Sequence, residues 1–189
     1  MFAKTIMVVE FLAEGFEEIE ALTPVDVLRR AGVTVKTAAV GGRGTVVTGS
    51  HGIPVTADMT AEEALGAAEE IEMVILPGGM PGAKNLDADG TVDAVLGKVR
   101  AEGGVLAAIC AAPLVLGRRG WLEGKRATCY PGFEHELRGA EVTGGRVERD
   151  GRIVTACGMG AAVEFALALA AILKGGEAAE AIRSAILAK

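Results

Sequence analysis

Cys110 closes an apolar run, Gly103-Gly104-Val105-Leu106-Ala107-Ala108-Ile109, and Ala111, Ala112 and Pro113 follow it at once. That order reads as a buried strand, a tight turn and the first turn of a helix. A cysteine held on such a corner has its sulfur close to free N–H groups at a helix N-terminus, which lower a thiol's pKa and favour the nucleophilic thiolate. By residue type alone the same cysteine also fits a core position, packing as a small hydrophobe.

Other residues offer it partners. Gly78-Gly79 follows a second apolar run, 72–77, and can aim backbone N–H groups at an oxyanion or serve as an ordinary turn. Ala111 N–H is a second donor for the same oxygen. Glu17, Glu18 and Glu20 open a helical segment, where acids ordinarily sit in solvent against the helix dipole. A carboxyl turned inward toward a thiol is different: desolvation raises its pKa, and it can donate a hydrogen bond or move protons. His135 is the rival base for a Cys–His pair, but Glu134 and Glu136 beside it read as a solvated helix start. His51, in a glycine-flanked loop, either helps bind substrate or has no role. Cys129 and Cys157 lie near predicted strand ends, as packing residues or secondary oxidation sites. Three cysteines without a C-x-x-C pair indicate neither a disulfide framework nor zinc, and two histidines add little, so no metal is expected.

The elements that must position these groups follow from periodicity. Strands are expected at 5–9, 33–40, 72–77 and in the run before Cys110, with a turn at 11–15. A helix over 16–32 has Ile19, Leu22, Val25 and Leu28 at helical spacing, acids in front, Arg29 and Arg30 behind, and Gly32 as its stop, with Pro24 awkward inside. Residues 45–48 and 53–56 form a hairpin or edge pair, 61–68 a short helix and 93–101 a longer one. The cluster 41–44 lacks the G-x-G-x-x-G spacing of a phosphate loop. Beyond Cys110, a helix over 111–119 precedes a strand at 126–130, a turn at 131–137, and small strands at 142–143, 146–148 and 153–156 that turn at Gly144-Gly145 and Asp150-Gly151. Residues 161–173 are apolar on nearly all sides, a buried helix, and 178–187 is amphipathic. Strand, helix, strand with short links predicts a right-handed parallel crossover, whose functional loops lie at the strands' carboxyl ends. Gly78-Gly79 and Cys110 are therefore expected on one rim.

With 189 residues the chain suits one α/β domain, 1–189. Half of its residues are hydrophobic, only 4% are aromatic and 27 are glycine, so Val, Ile, Leu and Ala close the core with close backbone approaches. A net charge of −6 without a basic face argues against nucleic acid. Without a signal-peptide pattern or a spanning apolar run, a soluble cytoplasmic protein with no membrane contact is expected.

Glu17-Glu-Ile-Glu20, Pro24-Val-Asp-Val-Leu-Arg-Arg-Ala-Gly32, Leu76-Pro-Gly-Gly79, Ala108-Ile-Cys-Ala111 and Glu164-Phe-Ala-Leu-Ala168, in this order, strongly resemble the DJ-one (ThiJ/PfpI) family of the class I glutamine amidotransferase-like superfamily, in its parkinsonism-associated, deglycase-like branch. The resemblance implies a flavodoxin-like α/β/α sandwich with a mostly parallel sheet, a homodimer, and a reactive elbow cysteine at Cys110. It implies that Glu20 hydrogen-bonds that cysteine and that Gly78, Gly79 and Ala111 serve the oxyanion side. The implied activity is a cofactor-independent, cysteine-dependent glyoxalase III or deglycase, a hydro-lyase or hydrolase on methylglyoxal, related small dicarbonyls or their early adducts. The alternative is a redox-sensing chaperone or stress-response protein whose Cys110 becomes a sulfinate. Three positions depart from the family pattern. Ala111 stands where the protease-like branch has histidine, which removes the base of a Cys–His peptidase. Tyr130 replaces a histidine near the site, and Cys157-Gly-Met-Gly160 replaces R-G-P-G. Tyr130 and His51 are therefore pocket candidates whose roles stay open.

Overall fold

The computed structural model describes residues 7–42 and 44–189. In chain order the elements are β1 (Met7–Leu12), α1 (Glu18–Arg30), β2 (Thr34–Ala39), β3 (Val46–Thr48), β4 (Pro54–Thr56), β5 (Met59–Thr60), α2 (Ala61–Gly66), β6 (Ile71–Leu76), α3 (Gly82–Ala88), α4 (Gly90–Ala101), β7 (Val105–Ile109), α5 (Pro113–Arg118), β8 (Arg126–Ala127), β9 (Glu141–Val142), β10 (Val147–Asp150), β11 (Ile153–Ala156), α6 (Ala162–Lys174) and α7 (Gly176–Ala185).

A seven-stranded sheet in the order β10-β11-β7-β6-β1-β2-β5 forms the middle layer, parallel except for the β10–β11 hairpin. The strands are nearly continuous apolar runs because helices cover both faces. Val25 and Leu28 of α1, Phe165 and Leu169 of α6 and Ala179 of α7 pack on one face with Val8, Met73, Ile75 and Ile109. On the other, Leu86 of α3, Val92 to Val99 of α4 and Leu114 of α5 close over Val9, Phe11, Val74 and Leu106. Burying a side chain such as Phe165 or Leu106 contributes about 2 kcal/mol each relative to exposure. The chain winds outward through β2 in one direction and through β6, β7 and β11 in the other, so the topological switch lies between β1 and β6, where open α/β sheets bind ligands.

Most predicted elements are present, with instructive differences. β1 runs through Glu10 to Leu12 instead of stopping at Val9; residues 5 and 6 of the expected strand lie outside the described residues, as does Arg43 of the 41–44 cluster. Glu10 stays in the ladder because β2 and β6 flank it, pairing it with Thr37 and Ile75. α3 was not anticipated, being short and starting on a glycine. α4 begins three residues before Asp93 because Asp89 caps it, accepting from the N–H groups of Thr91 and Val92 at 2.9 Å. β9 pairs in parallel with β8 and not as a hairpin through Gly144-Gly145. Pro24 sits inside α1, where it has no N–H to give the Glu20 carbonyl.

Candidate active site

Cys110 follows directly on β7 with φ of 64°, one of two described non-glycine residues at positive φ. Such a conformation costs about 1–3 kcal/mol and persists only where the surroundings hold it. Here they do: Cys110 N–H donates to the Ala156 carbonyl at 2.9 Å, its own carbonyl accepts from Tyr130 N–H at 2.8 Å, and Ala112 N–H donates to Ile109 O at 3.0 Å. The corner exposes the sulfur at the carboxyl edge of the sheet.

α1 delivers Glu20 to that sulfur. Glu17 caps the helix by accepting Glu20 N–H at 2.7 Å, and Glu17 N–H donates to Gly78 O at 3.0 Å, tying the helix start to the loop after β6. Gly78 N–H in turn donates to Glu20 Oε2 at 3.1 Å. The packing explains the two glycines: a Cβ at Gly78 would lie 2.5 Å from Glu20 Oε2 and 2.7 Å from Cys110 Cβ, and one at Gly79, where φ is 85°, would strike Glu17 N. Cys110, Glu20, Gly78, Gly79 and Ala111 thus converge on one rim, where the strand order places Gly78-Gly79 and Cys110 and the family resemblance places Glu20.

The electrostatics differ from the simple helix-terminus expectation. Burial raises Glu20 to about 7, helped by the charge of Glu17 and opposed by hydrogen bonding with Cys110 and by the N–H groups of Gly78 and Met159. Burial first, then the nearby Glu20, push the Cys110 thiol up to about 12, against the opposing pull of the Ala111 and Gly79 backbone N–H groups. The two groups are coupled: Glu20 titrates near neutral pH while the Cys110 thiol is held far higher, the charge of one opposing that of the other. The helix N-terminus does not by itself free the thiolate: burial and Glu20 outweigh it.

Beside the sulfur lies a cavity of about 410 Å³ lined by Cys129, Tyr130, Pro131, Cys157, Gly158 and Met159, among others. Gly158 joins it to Cys110: a Cβ there would stand 4.0 Å from Cys110 Sγ and 3.3 Å from Tyr130 Cδ2. Tyr130 is therefore a wall residue. Met159 and Gly158 were legible only as part of a departure from the family pattern. His51 goes elsewhere. Its Nδ1 lies 2.8 Å from Glu18 Oε2 and its N–H donates to Glu18 Oε1 at 2.8 Å; against the upward push of burial, these bonds hold Glu18 down at about 2. Glu17, Glu18 and His51 bring possible ligand atoms within 4.8 Å of one another, although the Glu18–His51 pair already satisfies two of them. His135 is exposed, near Glu136, and does not line the cavity.

Residues 4–172 match the model of the DJ-1/PfpI family. The chain belongs to the DJ-1/PfpI family. It is 35% identical over 181 residues to the Parkinson disease protein 7 homolog of Danio rerio, covering 94% of this chain and 95% of that one. Over 189 residues it is 38% identical to protein DJ-1 homolog A of Arabidopsis thaliana, 98% of this chain but only 47% of the plant protein, so it spans about half of that relative. A protein of Pyrococcus abyssi named a deglycase is 34% identical over 130 residues, 69% of this chain and 75% of its own. Among solved structures, Drosophila melanogaster DJ-1beta superposes with a TM-score of 0.91 at 34% identity, covering 98% of this chain and 99% of that one. A DJ-1 superfamily protein of Salmonella typhimurium also gives 0.91, at 33% identity over 96% and 98% of the two chains. The DJ-1/PfpI fold thus carries the sandwich and the cysteine elbow in this chain.

Proposed function

We propose that the chain is a cysteine-dependent glyoxalase III or deglycase-type enzyme acting on methylglyoxal and related small dicarbonyls or their early adducts. The observation that supports this reading is Cys110 on a strained corner packed against the Glu20 carboxyl and the Gly78-Gly79 loop, so closely that a Cβ at Gly78 would meet both side chains. Cys110 thiolate adds to the aldehyde carbon, forming a C–S bond, and the new oxyanion takes the backbone donors. Glu20 supplies a proton to that oxygen, then as carboxylate takes the proton from the former aldehyde carbon, exchanges it with solvent and delivers a proton to the neighbouring carbon, while the hydroxyl proton passes to the ketone oxygen. The ketone is thereby reduced to an alcohol as the hemithioacetal becomes a thioester, with no external electron carrier. Water cleaves the thioester to lactate and frees the sulfur. The archaeal relative that is named a deglycase supports the enzyme class.

The test is lactate formation from methylglyoxal without glutathione, followed by NMR in deuterated water. Lactate carrying solvent deuterium at its second carbon is expected; no lactate above the buffer rate overturns the reading.

The partner we propose is a second copy of the chain. Ile19 and Leu22 of α1, Ile53, Val163 of α6 and Leu187 are large, exposed and apolar, and together line one open depression of about 780 Å³. A contiguous apolar patch of this kind marks an association surface. Leu22→Asp is expected to shift sedimentation from dimer to monomer; a wild-type monomer at micromolar concentration removes the proposal.

A further inference from the structure

A second thiol stands beside the first at the end of β11. Ala156 pairs in parallel register with Ile109 on the last rung of the ladder, and its carbonyl accepts the Cys110 N–H, so Cys110 and Cys157 are the first residues beyond that rung on adjacent strands. Neighbouring strands run about 4.8 Å apart, within the Cα separation of about 4.4–6.8 Å that a disulfide spans. Cys157 N–H donates to the Arg146 carbonyl at 3.0 Å, which pins its backbone there. Gly158, the residue after Cys157, has no side chain to fill the opening from Cys110 Sγ into the cavity that Cys157 also lines. Both thiols are partly exposed and free. Cys129 lines the same cavity but is buried, whereas Cys157 is partly exposed.

We propose that Cys157 is the resolving thiol of Cys110, closing an intrachain Cys110–Cys157 disulfide after oxidation by a hydroperoxide. The inference rests on Cys110 being the reactive sulfur of the site. Cys110 thiolate attacks the peroxide: an S–O bond forms, the O–O bond breaks, the sulfur loses two electrons, and the peroxide leaves as water or an alcohol once protonated. Cys157 sulfur then attacks the sulfenic sulfur. An S–S bond forms, the S–O bond breaks, and the departing hydroxide takes up the proton that Cys157 gives off; Glu20, whose carboxyl packs with Cys110 over Gly78, is placed to relay it. A small dithiol returns both sulfurs to thiols by exchange. The bond keeps Cys110 from the further, irreversible step to sulfinate.

Equimolar hydrogen peroxide followed by peptide mapping without reductant tests this on the full chain. Expected are a Cys110–Cys157 cross-linked peptide reversed by dithiothreitol and, in Cys157→Ser, a several-fold higher yield of Cys110 carrying two added oxygens. Cys129→Ser is expected to behave as wild type. Equal sulfinate yields in wild type and Cys157→Ser, a cross-link to Cys129, or no oxidation of Cys110 each overturn the proposal. Diamide, which couples neighbouring thiols without peroxide, checks proximity if Cys157→Ser folds poorly: a Cys110–Cys157 link supports the placement and its absence refutes it. Methylglyoxal turnover is read separately, so a cross-link without lactate sinks only the glyoxalase reading, and lactate without a cross-link sinks only this one.

Discussion

Glu20→Gln is expected to lower kcat for lactate formation from methylglyoxal by about a thousand-fold, the scale of removing a positioned general acid–base. Glutamine keeps the shape of the side chain and can still accept the Gly78 N–H that Glu20 accepts at 3.1 Å. What it lacks is a proton to transfer. Cys110→Ala, by contrast, removes the atom that bonds the substrate and is expected to leave no turnover. The pH dependence gives the sharper signature. In the wild type the pair loses its first proton near about 7 as pH rises. If the charge then rests on sulfur while Glu20 keeps the remaining proton, alkylation of Cys110 by iodoacetamide climbs through about 7 and levels off. If the charge rests on Glu20, the thiol stays protonated toward about 12 and no wave appears near neutrality. The mechanism requires the first result. In Glu20→Gln the wave near 7 must vanish, because its titrating partner is gone; an unchanged alkylation profile would remove Glu20 from the chemistry.

Glu10→Met is expected to stabilise the fold by about 2 kcal/mol, the scale of relieving a buried polar group without a hydrogen bond. Glu10 lies in the middle of β1, fully buried, and neither of its carboxyl oxygens bonds a described residue. Its cross-strand neighbours offer no relief: Ile75 is apolar, and the Thr37 hydroxyl is engaged with Asp58 at 3.0 Å. Burial holds the carboxyl well above the ordinary glutamate range. The sign follows from that direction. A group whose folded-state pKa is raised favours the fold below its unfolded pKa and loses that contribution as pH rises toward the folded value. The gain from Glu10→Met must therefore grow with pH above about 4.3, the ordinary glutamate value. Thermal unfolding of both proteins from pH 4 to 8 measures it, and an upward Tm shift of about 6 °C at neutral pH matches 2 kcal/mol for a chain of this size. Equal melting curves across the range would mean that Glu10 finds a partner in solution.

Much of the architecture is visible in local pattern. Apolar runs of strand length, acids before and arginines after the α1 stripe, and glycines at the stops carry their information within a few residues, so helices and strands alternate as read and Cys110 falls on a strand-to-helix corner. Where the reading failed, the missing information lay far along the chain. Glu10 looks like a strand end until β2 and β6 close on both its sides; β9 looks like half of a hairpin until β8 takes it in parallel. The chemistry divides in the same way. That Cys110, Glu20 and Gly78-Gly79 belong together was legible from motif order, but their balance was not. A helix N-terminus favours thiolate, while burial and a carboxylate 90 positions earlier in the chain oppose it with greater weight. Desolvation and charge depend on which atoms meet after folding. Residue types alone left Glu17, Glu18 and Glu20 equivalent and the family resemblance singled out Glu20; only the packing of α1 against the loop after β6 set its carboxyl beside Cys110 and fixed their electrostatic balance.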